Sequence, residues 1–288
     1  MTVGEALALG RRHLAGKSDS AARDAALLLA FALGKPSQFV YLHPETPVSE
    51  EAFAAYNGFL ERRASGEPIA YIRGFREFMG HEFLIDRRVL VPRPETELVA
   101  ETAIRLLSGN PSPLVADICC GSGVIGLSIA KAIPESRVVL SDISREAVDL
   151  ARENAERLGV VDRVAFYVGD LVEPLLKAGF SGKFDILTAN PPYIPTDEIE
   201  TLSPTIREYE PRIALDGGKS GLRIIRRIAG EVPAVLKPGG RLIMEIGSDQ
   251  GEACRGIIME DRETWAGVEV LKDYGGKDRV VVAWTHAT

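Results

Sequence analysis

Asp117-Ile118-Cys119-Cys120-Gly121-Ser122-Gly123-Val124-Ile125-Gly126 is the stretch that decides the fold. It follows the β-rich run LVADICC (114–120) and enters VIGLSIAKAI (124–133), whose apolar residues recur at helical spacing. A strand, a glycine turn and a helix in that order begin an α/β unit, and the chain repeats the alternation downstream. RVVLSDI (137–143), VAFYVGD (164–170), FDILTAN (184–190) and RLIMEIG (241–247) read as strands. REAVDLARENAERLG (145–159), GLRIIRRIAGEVPAVL (221–236) and DQGEACRGII (249–258) read as helices. This predicts a parallel sheet with helices on both faces. GVEVLKD (267–273) and DRVVVAW (278–284) are separated only by YGGK, so they pair as a hairpin and bring an antiparallel strand into the sheet. The fold class read from the residues is α/β, with a mostly parallel seven-stranded sheet.

Upstream, residues 1–65 suggest a small helical domain. Its helices are EALALGRRHLA, DAALLLAFALG closed by Gly34 and Pro36, and SEEAFAAYNGFLERRA. Ser49 suits the N-cap of the third, and Glu50 and Glu51 stand in the positive field of its first turn. Over residues 66–92, YIRGFREF and HEFLIDRRVLV alternate large apolar and polar residues around Met79 and Gly80, the pattern of a β-hairpin linker. Pro92-Arg93-Pro94-Glu95-Thr96-Glu97 then opens a helix, because Pro94 is pre-set for an N-terminal position. The α/β domain is placed at residues 93–288.

A chain of 288 residues suits two domains, since single cores stop growing near about 250–300 residues. Hydrophobic residues at 45% and charged residues at 26% exclude wholesale disorder. The first apolar run is preceded by acid and interrupted by two arginines, so no leader peptide or spanning helix is read there. Cys119, Cys120 and Cys254 make no disulfide framework and lack the spaced pairs of a zinc site, so the expectation is a cytoplasmic protein without metal. A net charge of −7 gives no general attraction to phosphate backbones, so no direct nucleic-acid partner and no membrane are expected.

GSGVIG formally satisfies the dinucleotide pattern, but six letters alone are a weak signal. Asp142 ends the second strand, where it can hold both hydroxyls of an adenosine ribose. Asp170 ends the third, near where an adenine amino group would lie. Both suit a nicotinamide dinucleotide as well as S-adenosylmethionine. Asp117 separates the two: a carboxylate just before the glycine turn repels a pyrophosphate and attracts an amino group and a sulfonium. The bland alternatives are a tight turn that binds nothing and strand-end carboxylates facing solvent. Cys119 and Cys120 read as small buried or loop-lining residues, with no base to make either a nucleophile.

Asn190-Pro191-Pro192-Tyr193 follows the fourth strand, and an open α/β sheet delivers such loops into the ligand crevice. Two prolines fix φ and remove two donors, leaving a stiff segment whose acceptors are the Pro191 carbonyl and the Asn190 side-chain oxygen. An NH2 group has two hydrogens to give them. Tyr193 can stack on a planar acceptor and face a cationic methyl donor, an effect of about 0.5–2 kcal/mol. The chemistry expected is therefore methyl transfer to an amide or exocyclic amine. An activated donor needs no strong base, and His13, His43, His81 and His286 all lie outside the cleft loops.

Together with GEPIAYIRGFREFMGHEFLIDRRVLVPRPETE (66–97) and EPRIALDGGKSGL (210–222), the DICCGSG and TANPPYI motifs make the chain resemble the HemK/PrmC family. These are release factor-specific protein-(glutamine-N5) methyltransferases, a branch of the class I, Rossmann-like S-adenosylmethionine-dependent methyltransferases. The resemblance spans nearly the whole chain. It implies that the glutamine amide in the Gly-Gly-Gln loop of a class I peptide chain release factor accepts the methyl group, held by Asn190 and Pro191 beside Pro192 and Tyr193. S-adenosylhomocysteine is then the product. It further implies cofactor contacts from Asp117, Cys119, Cys120, Gly121, Ser122, Gly123, Asp142, Asp170, Leu171 and Asn190, and release-factor docking by the helical domain. Cys119-Cys120 stand where relatives usually carry Gly-Thr, and Ser220 where aspartate is usual; both bear on affinity more than on methyl transfer. Arg93, Glu95 and Glu97 read either as a helix opening with surface ion pairs or as part of the cofactor cleft. The competing functions are methylation of a DNA adenine, methylation of a ribosomal-protein glutamine, and a non-catalytic adaptor of translation factors. Against them stand, in turn, the acidic balance without a recognition insert, the RPETE segment, and the retention of Asn190 with both strand-end aspartates.

Overall fold

The computed structural model describes residues 1–287. In chain order the first elements are α1 (Val3–Leu14), α2 (Ala21–Ala32), α3 (Phe39–Leu42), α4 (Glu50–Ala64), α5 (Ile69–Arg73), β1 (Phe75–Phe78), β2 (His81–Leu84) and α6 (Glu97–Leu107). There follow β3 (Leu114–Ile118), α7 (Val124–Ala132), β4 (Arg137–Asp142), α8 (Arg145–Arg157), β5 (Val164–Val168), α9 (Glu173–Lys177) and β6 (Phe184–Ala189). The last are α10 (Pro204–Arg207), α11 (Arg223–Glu231), β7 (Leu236–Glu245), α12 (Gly251–Met259), β8 (Trp265–Lys272) and β9 (Asp278–Thr285). None of the described helices is long and apolar enough to cross a membrane.

Two compact units result: Met1–Phe75 with Ser203–Tyr209, and Arg76–Leu202 with the chain from Glu210 onward. The first unit is helical. Thr2 closes the start of α1 with a capping box, its Oγ1 accepting from Glu5 N while Glu5 Oε2 accepts from Thr2 N. Ser49 caps α4 as expected, accepting from Ala52 N at 3.2 Å. Val3, Leu14, Leu28, Leu29 and Leu60 fill the core around the buried Tyr56, whose hydroxyl donates to the Ala25 carbonyl at 3.1 Å. Arg63 binds Asp24 at 2.7 Å and donates to the Glu67 carbonyl, and its Nη1 also reaches Thr205 in α10.

This unit runs past the expected boundary at residue 65 because Ile69–Arg73 are helical where a strand was expected. Pro68 starts the turn, consecutive residues Ala70, Tyr71 and Ile72 are all buried, and Gly74 ends it in the left-handed conformation (φ 78°). The hairpin is correspondingly short. Met79 (φ 49°) and Gly80 (φ 74°) supply the two left-handed residues that a tight hairpin turn needs.

In the second unit the strand order is β5-β4-β3-β6-β7-β9-β8. All neighbours are parallel except β9, which is antiparallel to both β7 and β8. From β3 the chain winds outward through β4 to β5, then returns to β6 on the other side of β3. The loops after β3 and β6 therefore diverge at the switch point, where such sheets bind ligands. α11 ends at Glu231 and gives way to a 3-10 turn over Val232–Ala234, so the helix expected through residue 236 is cut short at Pro233, which has no N–H to donate.

Fully buried Asn154 on α8 ties the hairpin to the glycine loop. Its Oδ1 accepts from Leu84 N at 2.6 Å, while Nδ2 donates to the Leu84 carbonyl at 3.1 Å and to the Ser122 carbonyl at 3.0 Å. Asn154→Ala leaves these groups without partners, and at about 1–3 kcal/mol per buried unsatisfied group it should cost about 2–3 kcal/mol. A urea titration would register that loss, and a midpoint unchanged from wild type would contradict it.

Candidate active site

A cavity of about 640 Å³ opens at the C-terminal ends of β3, β4, β5 and β6, within the range of about 300–1,000 Å³ usual for small-molecule sites. Of the residues expected at the site, Cys119, Cys120, Gly121, Ser122, Asp142, Asp170, Leu171, Asn190 and Pro192 line it. Asp117, Gly123, Pro191 and Tyr193 do not.

The glycine loop turns on three left-handed residues, Cys119 (φ 53°), Gly121 (φ 53°) and Gly123 (φ 80°). Glycine adopts that conformation freely, whereas Cys119 bears a cost of about 1–2 kcal/mol. Leu171, which follows Asp170, is likewise left-handed at φ 46°. Asp142 anchors the loop: Oδ2 accepts from Gly121 N and Oδ1 from Ser144 N, both at 2.9 Å. Each oxygen retains a lone pair for a ligand hydroxyl. Burial raises the Asp142 pKa, although the backbone hydrogen bonds from Ser144, Gly121 and Ile143 pull the other way.

Asp117 is not at the lip of the loop, which corrects the expectation that its charge faces the ligand. It is fully buried beneath the turn, accepting from Gly126 N at 3.0 Å and from the Thr188 hydroxyl at 2.8 Å. Desolvation pushes its pKa up to about 7. Gly126 is needed for the approach of α7 to the sheet, because a Cβ there would strike the Leu140 side chain. Cys119 and Cys120 have pKa values raised well above an ordinary thiol by burial and by neighbouring aspartates, so both stay protonated and non-nucleophilic.

Asn190 enters the cavity from the end of β6, and its Nδ2 donates to Thr96 Oγ1 at 3.4 Å. Its amide oxygen is thereby left as an acceptor. Pro191 is buried, and Tyr193 points inward, its hydroxyl donating to Glu245 Oε1 at 3.1 Å. The Tyr193 ring, expected to stack on an acceptor group, does not line the cavity and packs against the core. Gln250 donates to the Tyr193 carbonyl, and Ile194 exchanges backbone bonds with Leu215 and Gly217, stitching the loop to the EPRIALDGG segment.

Several wall residues escaped the sequence reading. Arg227 of α11 pairs with Asp170 at 3.0 Å, and Thr96 and Arg212 also line the cavity. Arg93 lies outside the wall: its ion pair with nearly inaccessible Glu210 (2.7 Å) joins the RPETE turn to the EPRIALDGG segment. Glu97 accepts from Met79 N at 2.8 Å, so these two residues take the structural of their two readings. Ser220 is exposed and outside the wall.

Comparison with known proteins agrees with this geometry. A model of the PrmC N-terminal domain matches residues 5–74, and a methyltransferase domain model matches residues 113–281. A release factor glutamine methyltransferase of Geobacter sulfurreducens is 41% identical over 281 residues, spanning 97% of this chain and 95% of that protein. One from Clostridium acetobutylicum is 40% identical over 260 residues, 90% of each. The chain belongs to the release factor glutamine methyltransferase family. A methyltransferase of known structure from Pyrococcus furiosus shares the fold at 17% identity and a TM-score of 0.52, covering 73% of this chain and 91% of that one. The Rossmann-like methyltransferase domain and the helical region before it are therefore as the sequence predicted.

Proposed function

We propose that this member of the family transfers the methyl group of S-adenosylmethionine to the side-chain amide nitrogen (N5) of the glutamine in the Gly-Gly-Gln loop of class I peptide chain release factors. The carrying observation is that Asn190, its amide nitrogen turned to Thr96, lines one cavity with Asp142, Asp170 and the glycine loop.

The wall suits the cofactor. Asp142 accepts from the ribose hydroxyls with the lone pairs left after its two backbone bonds. Asp170 meets the adenine edge, sharing its charge with Arg227. Cys119 to Ser122 bring backbone close to the ligand, Gly123 carries the loop into α7, and Leu171 covers the base. Asp117 acts from beneath, by holding Gly126 and Thr188. When bound, S-adenosylmethionine supplies a methyl group already activated on a cationic sulfur. Asn190 Oδ1 takes one hydrogen of the substrate NH2, and the Pro191 carbonyl, which lies in the chain between the wall residues Asn190 and Pro192 although its own ring is buried, takes the other, which aims the nitrogen and stabilises the positive charge that develops on it. Pro192 walls the approach, and Tyr193 acts by fixing the loop. The nitrogen's surplus proton leaves to water. The helical unit docks the release factor, in the cytoplasm, without nucleic acid.

Methyl-labelled cofactor, purified protein and a release factor test the proposal. Label should appear on the factor and vanish when its loop glutamine is replaced by alanine. Label that persists on that variant, or that goes to duplex DNA and not to the factor, would overturn it.

A further inference from the structure

Glu245 ends β7 one residue beyond the Ala189–Met244 pair, which sets it beside Asn190 at the end of β6. It is 1% exposed, and no step of the proposed reaction uses it. A buried carboxylate is expensive unless it is paired or hydrogen-bonded. Oε1 accepts the Tyr193 hydroxyl at 3.1 Å, whereas Oε2 is sealed from solvent and makes no hydrogen bond of ordinary length. The Thr96 hydroxyl acts on the same carboxylate from a looser approach, and Thr96 Oγ1 in turn accepts from Asn190 Nδ2 at 3.4 Å. Loose hydrogen bonds of this kind are common in free enzymes and tighten in the loaded complex.

The direction of the chain follows from the chemistry of its members. An ionised carboxylate only accepts, so as the loose approach of Thr96 to Glu245 closes, the single hydroxyl proton of Thr96 goes to the carboxylate. Thr96 Oγ1 can then only accept, and Asn190 must offer it Nδ2. Since an amide carries its nitrogen and oxygen on opposite prongs, Oδ1 is left facing the cavity.

We infer that Glu245 is the positioning residue of this site: acting through Thr96, it fixes which end of the Asn190 amide meets the substrate, and through Tyr193 it holds the loop that carries Asn190. The inference rests on the proposed acceptor role of Asn190. It makes Glu245→Gln an informative exchange. Tyr193 keeps Oε1, the new Nε2 donates to Thr96, the Thr96 proton turns to Asn190 Oδ1, and the Asn190 amide presents NH2 to a substrate NH2. Donor then meets donor.

The surroundings also give a pH signature. Facing Glu245 are Arg279 from β9, Glu95 from the turn before α6, Tyr193 and Thr96. Burial raises the Glu245 pKa above the ordinary glutamate value, against the opposing hydrogen bonds of Thr96 and Tyr193 and the charge of Arg279. As pH falls through that raised value the carboxyl gains a proton, can donate to Thr96, and loses its command of the chain.

Glu245→Gln should lower kcat about 10- to 100-fold, the scale of a misaimed acceptor, with S-adenosylmethionine affinity by calorimetry unchanged. The acidic limb of the wild-type kcat profile should disappear in this variant. A readout apart from turnover is the glutamine-specific increment of release-factor affinity, the difference between the factor and its loop glutamine-to-alanine variant, which should shrink toward zero. Thr96→Val should reproduce these effects, and Thr96→Ser, which keeps the hydroxyl, should restore near-wild-type turnover. Wild-type kcat and an intact acidic limb in Glu245→Gln, or a fully active Thr96→Val, would overturn the inference. Failure of the wild-type protein to methylate the factor would instead defeat the reading beneath it.

Discussion

Asn190→Ala is expected to lower kcat about 10³-fold, near the upper end of what one preorganised hydrogen-bond partner contributes to a transition state. Cofactor affinity should stay within a few-fold of wild type. The asymmetry follows from geometry. Asn190 stands at the end of β6 with its nitrogen committed to Thr96, so truncation removes the acceptor for the substrate amide but leaves the Asp142 anchor of the glycine loop intact. Asn190→Gln keeps the chemistry and moves it by one methylene, and a misplacement of about 1 Å can itself cost about 10²-fold. Single-turnover transfer of labelled methyl, run beside calorimetry with the cofactor, separates the two quantities. Turnover within tenfold of wild type in Asn190→Ala would move acceptor recognition to another residue.

Much of this site could be read from the chain because its parts are local. The run of apolar residues before Asp117, the glycines after it and the helical spacing from Val124 lie within twenty residues of one another, and nothing distant is needed to interpret them. Asp142 and Asp170 followed from the same logic, as the last polar residues of strands. Burial on both faces of the central strands is what hid the orientation of Asp117. Residues Val115 to Ile118 are all inaccessible, so no alternation marks which side chains point toward the loop. Tyr193 was misjudged for a different reason, since its partner Glu245 arrives from β7, and Thr96 reaches Asn190 from the turn before α6. Asn154 lies in the charged run RENAER, and only the packing of the hairpin on α8 makes it a buried tie. The strand expected at YIRG failed because Gly74, which suits either a bulge or a helix end, ends a helix started by Pro68.

Asp142→Ala should weaken S-adenosylmethionine binding about 10²- to 10³-fold, since hydrogen bonds to a charged group contribute about 1.5–3 kcal/mol each and two ribose hydroxyls lose their acceptor. The Gly121 and Ser144 amides lose theirs as well, so the loop loosens together with its ligand. Asp142→Asn should recover little, because its amide NH2 would face one of those two N–H donors. The decisive feature is pH. Only the ionised carboxylate accepts from both ribose hydroxyls, and the folded-state pKa of Asp142 is raised by burial, so wild-type affinity should rise with pH as the group ionises above the ordinary carboxylate range. Stability of the free protein runs the other way: the folded state retains a proton that the unfolded state has already lost, so the stabilisation present below the unfolded pKa declines as pH rises toward the folded one. Asp117, pushed up to about 7, contributes with the same sign, and the charge of Asp142 is one of the causes of its shift. Removing that charge should therefore abolish the affinity slope and also flatten the stability slope by more than the share of Asp142 alone. Calorimetry and urea unfolding of both proteins across this range would test the pair of signs, and a wild-type affinity independent of pH would remove Asp142 from the ribose.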